Sequence, residues 1–163
     1  MKQKNTIREI IFLYLFKISE DFYRKIFKRN KQAWTTTKAD LKKLDRNTIG
    51  FHYFEFLDKN GFDILPKLEN HDLFHVITGA KTDVRDELAL QFYLLGNGKR
   101  SIYQFCVIAS SILWLDHQKY FFQSYFKGKQ SKAFSQIKFE TVLSQNIYDF
   151  ISSKNIHRFS AIS

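Results

Sequence analysis

At 163 residues the chain has the length of one domain, and with 44% hydrophobic residues it is too apolar to be disordered. One proline and six glycines leave little to interrupt helices, and the absence of regularly spaced short strands argues against an all-β class. The formal charge of +10 attracts anionic partners, nucleic acid or an acidic membrane surface, while a single cysteine excludes an intrachain disulfide or a cysteine-based zinc site. The expectation is an all-α fold: one helical domain over residues 1–163, of about six or seven helices.

In chain order, Ile7, Ile10, Ile11, Tyr14, Leu15, Ile18 and Phe22 recur at helical spacing and predict a long first helix. Its apolar run from Ile10 to Phe16 is short, is followed by Lys17, Glu20 and Asp21, and has no small-residue cleavage site, so it is not read as a secretory signal. A basic run follows (Arg24, Lys25, Lys28, Arg29, Lys31), then "TTTKADLKKLDRN", a short helix or loop. Residues 48–60 read as a helix with Asn47 as N-cap and Gly61 as its stop. A helix over 69–78 ends at Gly79, and Thr82 or Asp83 caps the next, which runs to about Leu95.

"GNGKRS" is a turn, with Ser101 capping a long helix through Trp114 toward Phe126. Within it, "SIYQFCVIASSILWL" (101–115) is the longest uncharged run, short of the roughly 20 residues needed to span a bilayer. It is read as a buried core helix, with Cys106 a buried, inert thiol. A basic loop, "KGKQSK", carries Lys127, Lys129 and Lys132 ahead of a last helix from about Phe139 to Ser153. No internal repeat or domain linker is visible.

The most particular stretch is "HDLFHVITGAKTDVRDE", residues 71–87. His71 and His75, four apart on a helix, present two imidazoles on one face, as H-E-x-x-H does. Glu87 stands one turn into the following helix and comes level with the pair if the two helices pack antiparallel. Two histidines and a carboxylate suit zinc, iron or manganese with coordination positions left open. Histidines at this spacing are, however, often plain core or surface residues. The His71-Asp72 doublet also occurs in the HD phosphohydrolase pattern, which would need His52 and Asp116 or Asp149 as further ligands. His52, His117 and His157 have no ligand-like spacing and are read as structural, and Trp34 and Trp114 as packing residues.

His71-Asp72-x-x-His75, then eleven residues, then Glu87, resembles the H-D-x-x-H-x(11)-E signature of the coenzyme Q (ubiquinone) biosynthesis protein four family. "RNTIGFHYFEFLDKNGFDILP", with Gly50 at a small-residue turn, and "HVITGAKTDVRDELALQFYLLGNGKRS" are similar to the segments around that motif. The likeness is strong from about 46 to 115 and looser to 156, where Phe139-Glu140 stands in for a Trp-Glu pair and a later arginine is absent.

The resemblance implies a divalent metal, zinc first and iron or manganese otherwise, on His71, His75 and Glu87. Asp72 is implied as a fourth ligand, a catalytic proton-transfer group, or a partner orienting a histidine. It further implies a role in ubiquinone biosynthesis, at C1 of a polyprenylated 4-hydroxybenzoate ring: a decarboxylation, in some accounts with hydroxylation of the same carbon. The implied partners are a polyprenyl lipid or quinone precursor, other quinone-biosynthesis proteins, a second copy of the chain, and an anionic membrane. The protein would then be peripheral on the cytoplasmic face of that membrane.

For the isoprenoid tail, the first helix and the 101–115 helix could line a groove, with Phe74 and Ile77 beside the metal. The basic groups of 24–31 and 127–132 suit an anionic bilayer, and Lys99 with Arg100 could hold a phosphate at the following helix N-terminus. Three functions thus stand: a metal-dependent enzyme of quinone biosynthesis, which is preferred; a lipid-binding scaffold; and a nucleic-acid-binding helical domain. The last ranks lowest, because no base-reading motif is present.

Overall fold

A computed structural model describes residues 33–66 and 69–160. The first helix and the basic run at 24–31 lie outside these residues. Every regular element among those described is helical, and the only β-type pairing is one isolated antiparallel bridge between Thr48 and Asn146.

Helix α1, Lys38–Lys42, forms in the polar stretch because Thr37 and Asp40 cap each other: each side chain accepts from the other's backbone N–H. Helix α2, Ile49–Asn60, is capped by Thr48, whose hydroxyl accepts from Phe51 N at 3.2 Å. Asn47 is therefore not the cap. Its backbone is held by its neighbours, its N–H by Asp45 and its carbonyl by Ile147. Gly61, at φ +67°, ends α2 in the left-handed conformation expected of it.

Helix α3, Glu69–Thr78, ends before Gly79, and α4, Val84–Gly96, is capped by Asp83, as the sequence indicates. α4 is buried almost all round: Leu90, Tyr93 and Leu94 enter one apolar cluster, and Val84, Leu88, Ala89 and Phe92 another. It is the central helix of the domain.

The long helix expected from Ser101 is broken. Helix α5, Ile102–Ser110, gives way to a 3-10 segment, Ser111–His117, before α6, Gln118–Gln130. The break falls at Trp114 (φ −123°, ψ 57°), which turns inward against the cluster around Phe92 and Phe121 while its neighbours Leu113 and Leu115 stay outside. Gln118 Nε2 donates to the Ser111 carbonyl at 2.7 Å, satisfying an acceptor in the interrupted turn. Two readings of the run 101–115 are corrected: much of it is exposed, and so is Cys106. Lys127 and Lys129 lie in the last turn of α6 and not in a loop.

The last expected helix is also divided, into a 3-10 turn, Phe139–Val142, and helix α7, Ile147–Ser153. The turn residues between them bond to the start of α2: Ile49 N donates to Gln145 O and Gly50 N to Leu143 O, at 2.9 and 2.8 Å. Gly50 accordingly sits in the first turn of α2, not at a turn. A β-carbon there would meet Leu44 Cδ1 and the Leu143 backbone.

Two devices fix α4 against α6. A β-carbon on Gly96 would strike Tyr125 O, and one on Gly128 would strike Tyr93 O, so the two backbones touch where each helix has a glycine. Just beyond, buried Asn97 donates from Nδ2 to Gly128 O at 3.2 Å and accepts Phe134 N and Ser135 N on Oδ1 at 2.9 and 3.0 Å. Phe134 then packs on Phe74 and Tyr93 in the core. Gly128→Ala forces the helices apart and costs about 1–3 kcal/mol. At roughly 2–4 °C per kcal/mol for a chain of this size, the thermal midpoint of the metal-free protein falls by several degrees in a calorimetric scan.

Candidate metal centre

His71 and His75 lie one turn apart on α3, and the connection Gly79–Asp83 returns the chain so that Glu87, in the first turn of α4, faces both. Their ligand-type atoms form a triangle. His75 Nε2 is 3.3 Å from His71 Nε2 and 3.1 Å from Glu87 Oε2, and His71 Nε2 is 3.4 Å from the same oxygen. Ligands about 2.0–2.1 Å from a tetrahedral ion lie roughly 3.3–3.4 Å from one another, so all three edges match that geometry to about 0.3 Å. Among the described residues this is the one cluster of three or more His, Cys, Asp or Glu groups with metal-ligand geometry.

Each member is held from behind. His75 Nδ1 donates to Ala80 O at 3.1 Å, which points Nε2 into the cluster, and Phe56 stacks on its ring. Glu87 presents Oε2 to the histidines while Oε1 accepts from Gln91 Nε2 at 2.9 Å. Gln91 is fully buried, and its backbone carbonyl accepts in turn from Gln104 Nε2 on α5, at 3.0 Å. The loop between the ligands is tied down as well. Asp86 accepts Lys81 N and Tyr120 OH, and Arg158 Nη1 donates to the Val76 and Ile77 carbonyls at 3.0 and 2.6 Å. Sequence reasoning does not single out Gln91, Tyr53, Tyr120 or Arg158. Only the i, i+4 spacing of Gln91 from Glu87 is legible there.

Asp72 stands outside the triangle, with Oδ2 accepting from Tyr53 OH at 3.0 Å. Burial pushes its carboxyl above the usual range, against the charge of His71 and the Tyr53 hydrogen bond. Burial alone would raise Glu87 and lower His75. In Glu87 the His71 charge and hydrogen bonds from both imidazoles win, holding the carboxyl well below its ordinary value. In His75 the Glu87 hydrogen bond and charge win, and its pKa is raised.

The other sequence candidates disperse. His52 pairs with Glu55 and Asp116 with His117, so neither completes an HD-type set with His71-Asp72. Phe74 and Ile77 are core residues, Phe74 packing edge-on against Phe139. Arg100 turns back to the Leu95 and Lys99 carbonyls. Lys99 lies over the Phe74 ring at 5.0 Å, and burial lowers its pKa to about 8 despite Glu87. No phosphate cradle forms from the pair.

An all-helical domain with a two-histidine, one-carboxylate triangle between consecutive helices defines a class: helical proteins with a candidate metal centre that has free coordination positions. The chain belongs to the family of coenzyme Q (ubiquinone) biosynthesis protein Coq4, whose profile matches residues 64–160. A solved structure from Nostoc punctiforme PCC 73102, of a protein assigned provisionally to ubiquinone biosynthesis, shares the fold with a TM-score of 0.58 at 18% identity. The match covers 85% of this chain and 80% of that one. No curated protein sequence matches the chain.

Two outcomes follow from the site. In the metal-free protein the raised His75 contributes stability that is complete below the ordinary histidine value of 6.5 and is lost as pH rises through its folded value. The lowered Glu87 contributes stability present above 4.5 and lost as pH falls through its folded value. Denaturant unfolding therefore shows the metal-free protein losing stability from about pH 6.5 upward. The metal-loaded protein lacks that decline, because the ion replaces the proton. Separately, Gln91→Leu frees Glu87 Oε1 and weakens zinc binding about 10–100-fold in a competition titration, with helicity by circular dichroism unchanged.

Proposed function

We propose that the protein acts in ubiquinone-type quinone biosynthesis as a metal-dependent protein, on C1 of a polyprenylated 4-hydroxybenzoate-type ring at an anionic membrane surface. The observation that supports it most is the triangle of His71 Nε2, His75 Nε2 and Glu87 Oε2, whose edges suit a divalent ion. Zinc is the reading preferred for this donor set, with iron and manganese as the other ions it accommodates. Such an ion, when bound, supplies a Lewis acid that offsets negative charge on a ring carboxylate or phenolate.

The chain's own groups fit the remaining work. His71 is the most exposed of the three and leaves the side of the triangle toward it open to a substrate. Asp72 adjoins it with a pKa raised by burial and a hydrogen bond from Tyr53, features of a group that can hold or move a proton. Lys99 carries a charge close enough to Glu87 to feel it, and offsets the carboxylate of an entering ring. The core that packs α3 and α4 keeps bulk water from His75 and Glu87.

The protein purified without chelators is expected to contain about one divalent ion per chain, zinc foremost, by elemental mass spectrometry. His75→Ala removes the ion and any activity while the helical spectrum persists. Glu87→Gln lowers affinity with little change in unfolding of the metal-free form. Asp72→Asn separates the roles: retained ion with lost turnover marks proton transfer, and lost ion marks a ligand. A wild-type protein that neither contains nor binds an ion sinks this reading.

A further inference from the structure

Helix α5 is apolar on its outer side as well as its inner one. Its exposed positions, Ile102, Phe105, Cys106 and Ala109, recur at i, i+3, i+4 and i+7 and form one apolar stripe. The opposite face buries Val107 and, at 0% exposure, the polar Gln104. The 3-10 segment extends the stripe, with Ile112 at 69% and Leu115 at 73% exposure. On α6, Lys119, Phe122, Phe126 and Lys129 are exposed in turn along the next face. Val107 packs inward on the cluster around Phe92 and Phe121, but the exposed apolar residues of α5 lie together on the outer side, and a contiguous apolar surface of this kind marks an interaction site.

We propose that this face, α5 with the 3-10 segment and the outer side of α6, is the surface that inserts into the headgroup region of an anionic bilayer. Charge chooses this occupant over a second copy of the chain. Over residues 102–130, which make up these elements, the chain has three lysines, Lys119, Lys127 and Lys129, and one acid, Asp116, so two such faces brought together repel while anionic headgroups attract. Lysines spaced among phenylalanines keep their ammonium groups at headgroup level while the rings go deeper. No helix among the described residues is long and apolar enough to cross a membrane, so insertion is from one side. The inward face of α5 ends at the site: Gln104 bonds Gln91, and Gln91 bonds Glu87. One helix therefore separates the lipid from the metal ligands, the arrangement needed if a ring is handled at the site while its tail remains in the bilayer. The inference rests on the membrane-borne substrate proposed above.

Cys106, exposed and the only cysteine, allows a direct test. The full-length protein is labelled there with an environment-sensitive fluorophore and mixed with phosphatidylglycerol-rich or pure phosphatidylcholine vesicles. Emission is expected to shift to the blue with the anionic vesicles, and to remain aqueous for a probe at exposed position 55 in Cys106→Ser/Glu55→Cys. Ile112→Asp/Leu115→Asp changes only exposed side chains and should leave the unfolding midpoint in place. It lowers partitioning to anionic vesicles at least tenfold, since losing one buried Leu-sized contact already approaches that factor. Vesicle flotation with an unshifted Cys106 probe, or full binding by the double aspartate variant, overturns this face while leaving a membrane site elsewhere. A blue shift without lipid, with doubled mass by light scattering, assigns the face to a second copy and overturns the proposal. Absence of vesicle binding overturns it too, and the one-ion stoichiometry decides the metal reading independently.

Discussion

Because His75 gives its Nδ1 proton to Ala80, a neutral imidazole directs a lone pair at a carboxylate oxygen of Glu87 only 3.1 Å away. His71 Nε2 faces the same two atoms. Acceptors so close repel unless positive charge lies among them, and much of the surrounding structure serves to keep them close. The cation can be a proton, which accounts for a raised His75 beside a depressed Glu87, or a divalent ion, for which the spacing is suited. A divalent ion at this triangle would have to displace that proton.

Holding two imidazoles and a carboxylate together requires that neither helix can retreat. α4 is buried on nearly every side and meets α6 backbone to backbone through Gly96 and Gly128, so Glu87 stands on the least movable element of the domain. α3 is held at its end by Arg158, which reaches back from the C-terminal segment to the Val76 and Ile77 carbonyls, and by Ser160 on Gly79 O. The unpaired carbonyls of a helix C-terminus are a natural seat for a guanidinium. Contacts far apart in sequence therefore set the aim of two histidines only four residues apart.

The same central helix sets which side of α5 faces inward. What α4 offers α5 includes both the apolar cluster around Phe92, which Val107 enters, and the polar edge of Gln91, which Gln104 meets. Ile102, Phe105, Cys106 and Ala109 are left on the outside, and the break at Trp114 continues that surface into the next segment.

The candidate triad and most helix ends were legible in the sequence, because they depend on local chemistry. Thr hydroxyls and Asp carboxylates cap nearby N–H groups, glycine takes the left-handed position after α2 and α3, and an i, i+4 pair shares a helix face wherever that helix packs. Composition settled the all-helical class for the same reason. Other features depended on partners distant in the chain. An apolar run such as 101–115 reads alike whether it meets a core or a bilayer, and only the packing of Gln104 and Trp114 showed which side is buried. The division of the last helix required the α2 amides to bond the 143–146 backbone, and the exclusion of Asp72 from the triangle required Tyr53 to stand opposite it. Periodicity states that a residue shares a face; tertiary structure alone decides what that face meets, because burial and hydrogen-bond satisfaction are properties of the assembled surfaces.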